Sequence, residues 1–144
     1  MSALTADQRG TLASLLDELL PPREDVRLPG AGALGLADAV DAASLGSPLR
    51  PAFSAELARL SAAGFAALSK AEKRERLEAL AKQSQALFQL LLRHAYGAYY
   101  THPSVVAALG LPARPPFPEG YAVPATDFSL LDPVRGRTKL YRDC

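Results

Sequence analysis

The string Gly30-Ala31-Gly32-Ala33-Leu34-Gly35 is the first place in this 144-residue chain where residue types and spacing could support chemistry. It matches G-x-G-x-x-G, with Glu56 about twenty residues further on, as a dinucleotide-binding turn requires. Such glycines let backbone amides approach a pyrophosphate, but only directly after a buried strand. Here the string follows Arg23-Glu24-Asp25-Val26-Arg27-Leu28-Pro29, charged and closed by proline, so the glycines are read as a tight loop into a short helix. His94 and His102 have no cysteine or carboxylate at ligand spacing and make a poor metal set. Asp38 and Asp41 are explained by capping and solvent pairing, Cys144 is the last residue, and no G-x-S-x-G string occurs. No catalytic, cofactor-binding or metal-binding residue is therefore assigned.

Two other groups suit contact rather than catalysis. Tyr96-Gly97-Ala98-Tyr99-Tyr100-Thr101-His102-Pro103 is the densest aromatic cluster. A tyrosine joins an apolar ring to a hydroxyl that needs a partner, which fits an interface, or equally the closed end of a helical core. Arg135-Gly136-Arg137-Thr138-Lys139-Leu140-Tyr141-Arg142 holds four positive charges. These fit the rim of a protein interface; nucleic acid is the weaker reading, because net charge is only +1 and no second basic face accompanies them.

The elements that position these groups are helical. The chain has 27 Ala and 25 Leu against 6 Val and no Ile, a composition suited to helices and unable to furnish buried parallel strands. A first helix spans 5–20, opened by Thr5 and Gln8 at capping-box spacing and stopped by Pro21-Pro22. A loop rich in glycine and proline leads to a short helix over 36–43. A third starts near Ser47-Pro48 or Pro51, buries Phe53, Leu57 and Leu60, and stops at Gly64. Ser69 and Glu72 open a charged helix whose buried edge is Leu77 and Leu80. The next, about 84–100, carries Leu87, Phe88, Leu90, Leu91, Leu92, Ala95 and Tyr96, apolar over most of its circumference. It is read as a central helix buried on all sides, or as one whose outer face meets a partner. Pro103 starts a last short helix ending at Gly110.

From residue 112 the chain holds six prolines and no helical periodicity, yet keeps Phe117, Tyr121, Phe128 and Tyr141. Disordered tails are poor in aromatics. A proline-stiffened segment of this length reaches up to about 100 Å, so residues 112–144 are read as an extended arm laid on another protein, beside a helical domain over 1–111. The expected fold is all-α, a small bundle of five to six helices with that arm. Tyr99, Tyr100, Phe117, Tyr121, Phe128 and Tyr141 are the expected partner contacts, with Arg135, Arg137 and Arg142 at the rim. The opening residues have neither basic nor apolar signal regions, which predicts a cytoplasmic chain; removal of a leader, or escort by a partner, would place it in the periplasm. No stretch reaches membrane-spanning length.

The order of Leu4-Thr5-Ala6-Asp7-Gln8-Arg9, Leu19-Leu20-Pro21-Pro22, Pro29-Gly30-Ala31, Gly35-Leu36, Tyr99-Tyr100-Thr101-His102-Pro103 and Ala108-Leu109-Gly110 resembles the gluconate 2-dehydrogenase subunit 3 family, over about residues 4–121. The resemblance implies a non-catalytic small (gamma) subunit. Its partner would be a flavoprotein large subunit of the glucose-methanol-choline type, which holds FAD and oxidises a sugar or polyol, passing electrons to a cytochrome or another acceptor. The small subunit would assist folding, stability, flavin loading or export. Two other classes stand beside it: a stand-alone ligand-binding bundle or small enzyme with His94 and Tyr96 lining a pocket, and a nucleic-acid adaptor using the basic tail.

Overall fold

Thr5 caps the first helix from both directions in the computed structural model, which describes residues 4–112, 118, 120 and 124–138. The Gln8 amide donates to the Thr5 hydroxyl (3.2 Å) and the Thr5 amide to the Gln8 side chain (3.0 Å), satisfying amides at the open end of α1, Ala6–Leu19. α2 is Ala37–Ser44 and α3 Arg50–Ala62. α4, Lys70–Gln83, opens on the Ser69–Glu72 capping box. α5 is Gln85–Tyr100, and α6, Pro103–Ala108, has proline in its first turn. No β-strand forms among the described residues; a lone antiparallel bridge joins Arg23 to Leu28. No described helix is long and apolar enough to cross a membrane.

The chain divides into two units, Met1–Ala113 and Arg114–Cys144. In the first, α1 packs against α2, α3 and α4, while α5 packs against α2, α4 and α6. The core between them holds Leu12, Leu15 and Leu16 of α1, Phe53, Leu57 and Leu60 of α3, Leu77 and Leu80 of α4, and Leu87, Leu91, Ala95 and Tyr99 of α5. Phe65, in a 3-10 turn over Phe65–Ala67, is fully buried and packs beside α1 and α3. Gly64 makes that turn possible by taking a left-handed conformation (φ 68°), which residues with a Cβ rarely adopt.

Two expectations need correction. α5 is not buried on all sides: Leu87, Leu91, Ala95 and Tyr99 lie at four-residue spacing on one inward edge, while Gln89, Arg93, Tyr96, Gly97 and Tyr100 face outward. Apolar circumference measures what a helix is able to bury, and α5 has neighbours on one side only within this unit. In the second unit, the tail is not devoid of helix. Phe128–Leu131 forms a 3-10 turn, capped by the Asp127 carboxylate accepting from the Ser129 amide (3.0 Å), and it runs into α7, Asp132–Arg135. Pro133 sits in the first turn of α7, where proline favours helix rather than opposing it.

Candidate functional site

The glycine string is a piece of architecture welded to the C-terminal end of α1. The Gly32 amide donates to the Asp17 carboxylate (2.8 Å) and the Ala31 amide to the Leu20 carbonyl (3.0 Å), with Ala31 fully buried. A Cβ on Gly32 would stand 2.5 Å from the Ala13 carbonyl oxygen and 2.6 Å from the Asp17 carboxyl carbon, so glycine is needed for close approach. An anionic carboxylate already occupies the amide that a pyrophosphate would use. Glu56, the would-be ribose ligand, is held by Arg59 (2.6 and 2.9 Å), whose hydrogen bonds keep its carboxyl below the usual carboxylate range. These residues do not fit a dinucleotide.

The loop instead fixes a tyrosine. The Tyr99 hydroxyl donates to the Pro29 carbonyl (2.8 Å), and the ring is only 2% exposed. Burial pushes its phenol above the usual value of 10, since the phenolate would lose its hydration there. Tyr99 was expected to touch a partner; its inward position on the Leu87–Leu91–Ala95 edge makes it a core residue, and that expectation is corrected.

Tyr100 points the other way. It is 49% exposed, and its ring meets Tyr99 edge-on with centroids 5.1 Å apart. Tyr96, one turn earlier and 44% exposed, stands edge-on to Tyr100 at 6.1 Å. A buried tyrosine thus anchors an exposed one, which in turn steadies its neighbour. Leu109 and Leu111, just beyond α6, are also exposed. Tyr96 is not among the expected contacts, although its i,i+4 relation to Tyr100 puts both on one side of the helix.

Of the other expected contacts, Phe128, Arg135 and Arg137 are exposed in the second unit, where Arg135 pairs with Asp132 (3.2 Å). Phe117, Tyr121, Tyr141 and Arg142 lie outside the described residues. His102 caps α6 by accepting from the Ser104 amide (3.3 Å), and His94 is half-buried.

A small cavity of about 10 Å³ is lined by Leu15, Phe53, Glu56, Leu57, Leu60, Leu80, Leu87 and Leu91. That is room for roughly one water, in walls that are almost wholly apolar; neither His94 nor Tyr96 reaches it. No cluster of three or more metal-ligating side chains occurs among the described residues. Among the described residues, one well-buried ionic group joins α2 to α3. Arg50 donates to the Asp41 carboxylate, to the Asp41 carbonyl (3.2 Å) and to the buried Ser44 hydroxyl (2.6 Å), and lies over the Phe53 ring. Its geometry is that of a staple between helices, made through one guanidinium nitrogen, Nη1.

Neither the curated proteins nor the solved structures include a significant match to this chain. A family model does match, over residues 6–111, and those residues carry α1 to α6, the glycine loop and the tyrosine face described above. The chain belongs to the gluconate 2-dehydrogenase subunit 3 family.

Proposed function

We propose that this chain is the non-catalytic small subunit of a flavin-dependent dehydrogenase acting on a sugar or polyol. The observation that carries this reading is the family match, which spans nearly all of the first unit. The exposed Tyr96–Tyr100 pair supports it by offering a surface of the kind interfaces use. In this reading the FAD and the hydride chemistry reside in the large subunit, a flavoprotein of the glucose-methanol-choline type. The small subunit binds that chain in its folded form and stabilises it by linkage, assisting its folding or flavin loading. The residues beyond 111, with Phe128, Leu130, Leu131 and Val134 exposed, extend the contact. A stable pair of this kind buries on the order of 2,000 Å² or more.

The test is co-expression of the full chain with the flavoprotein of its own source. Co-purification as a yellow complex, with the large subunit poorly soluble or flavin-deficient when expressed alone, is the expected result. Equal yield, flavin content and activity of the large subunit without this chain would overturn the reading. Deleting residues 112–144 separates the two units: weakened assembly is expected, and unchanged assembly would remove the tail from the interface.

A further inference from the structure

We propose that the outward stripe of α5 — Gln89, Arg93, Tyr96, Gly97 and Tyr100 — receives a helix of the catalytic subunit that crosses it at Gly97. This rests on the small-subunit reading above and adds the place and chemistry of the contact. Glycine is the poorest helix former after proline, and Gly97 opens the last turn of α5, where its carbonyl accepts from the Thr101 hydroxyl (2.7 Å). A Cβ there would meet nothing within 4 Å, and its φ is not left-handed, so neither packing nor backbone conformation within this chain requires glycine. Gly32 is the opposite case, filled by Asp17 and Ala13. A helix glycine left open on the surface lets another backbone approach closely, and the distance between packed helices is set by the side chains at their crossing.

The flanking residues say what approaches. Tyr96 and Tyr100 are exposed on the same outward side of α5 as Gly97, and Tyr100 meets Tyr99 edge-on, whose hydroxyl is tied to Pro29. Aromatic side chains restrained in this way lose little freedom on binding and often dominate interface energetics. Arg93 lies one turn before Gly97 on the same stripe. α5 contains no acidic residue, and Arg93 has no ion-pair partner among the described residues. A complementary occupant is therefore a helix with a small residue at the crossing, apolar side chains seated on the two tyrosines, and a carboxylate opposite Arg93.

The experiment compares full-length variants in co-expression with the catalytic subunit, measuring affinity for that subunit and the thermal midpoint of the small chain. Gly97→Leu puts a strong helix former at an open position, so its midpoint should rise by about 3 °C. Its affinity for the partner should fall at least about tenfold, the scale of a hot-spot loss. Misfolding cannot produce that combination. Tyr100→Ala and Arg93→Glu should weaken assembly comparably, the latter more at low salt. Gly10→Leu, at an equally open glycine of α1 without flanking aromatics, should raise the midpoint and leave affinity unchanged. Wild-type affinity in Gly97→Leu, a lowered midpoint in it, or equal losses from Gly10→Leu would each overturn the inference. If the unaltered chain does not bind the flavoprotein at all, the small-subunit reading falls instead.

Discussion

Replacing Gly32 by alanine tests whether the glycine string is architecture or a nucleotide site. The added methyl would overlap the Ala13 carbonyl oxygen at 2.5 Å and the Asp17 carboxyl carbon at 2.6 Å, and one of these is the backbone of α1. The side chain of Asp17 is able to rotate away, but only by releasing the 2.8 Å bond from the Gly32 amide. Overpacking of this kind costs about 1–3 kcal/mol, and a hydrogen bond to a charged group contributes about 1.5–3 kcal/mol. Because relieving one strain sacrifices the other, the expected loss is about 3 kcal/mol rather than the full sum. For a chain of this length that lowers the thermal midpoint by about 12 °C.

Thermal unfolding followed by circular dichroism reads the effect, and a double-mutant cycle assigns it. Asp17→Ala alone should cost about 2 kcal/mol for the lost bond. Combined with Gly32→Ala it should cost less than the two single losses together, because the methyl then has room on that side. Gly35→Ala is the comparison: its φ of 68° and open surroundings predict a loss of about 1 kcal/mol from backbone strain alone. A Gly32→Ala midpoint within about 2 °C of the parent would refute the clamp. Lost flavin retention with unchanged stability would revive the nucleotide reading.

Two further substitutions probe the polar contacts. Tyr99→Phe removes the donor to Pro29 and should cost about 1 kcal/mol. Because burial raises the Tyr99 phenol, its contribution is complete below pH 10 and is lost as pH climbs through the folded value; the gap in stability between Tyr99→Phe and the parent should therefore narrow in alkaline melts, and a constant gap would contradict this. Arg50→Ala should cost about 3 kcal/mol, since it strands the Asp41 carboxylate at a site where both partners are about 15% exposed. Arg9→Ala, which breaks an exposed pair with Asp38, should cost about 0.5 kcal/mol; chemical denaturation giving equal losses would refute that ranking.

What was legible in the sequence follows from how local each interaction is. Both capping boxes formed as their spacing predicted, since all the atoms involved lie within four residues. α3 buries Phe53, Leu57 and Leu60, and prolines bound α1 and open α6 as expected. Phe65 was not singled out because a three-residue turn has no periodicity to detect. The Asp17–Gly32 bond spans fifteen residues and left no local trace. Adjacent Tyr99 and Tyr100 look alike in sequence, though spacing of four from Leu87, Leu91 and Ala95 does select Tyr99 as the inward one. The tail reads as extended because it is proline-rich and lacks helical periodicity, and a turn as short as Phe128–Arg135, with Asp127 capping it and Pro133 in the first turn of α7, has too few residues to show a period.

The two faces of α5 are linked through Tyr99. Its inward edge is conventional packing, and its last member, Tyr99, is fixed by a loop that α1 in turn holds through Asp17 and Leu20. That chain of contacts ends on the surface at Tyr100, edge-on to Tyr99, and at Tyr96, edge-on to Tyr100. Gly97, in the last turn of α5, is exposed on the same side, and neither packing nor backbone conformation of this chain requires glycine there. An exposed aromatic pair beside a bare backbone serves no packing need within the bundle; in the proposed pairing it would face the catalytic subunit, and the edge-on contact with Tyr99 would lower the cost of ordering Tyr100 on binding.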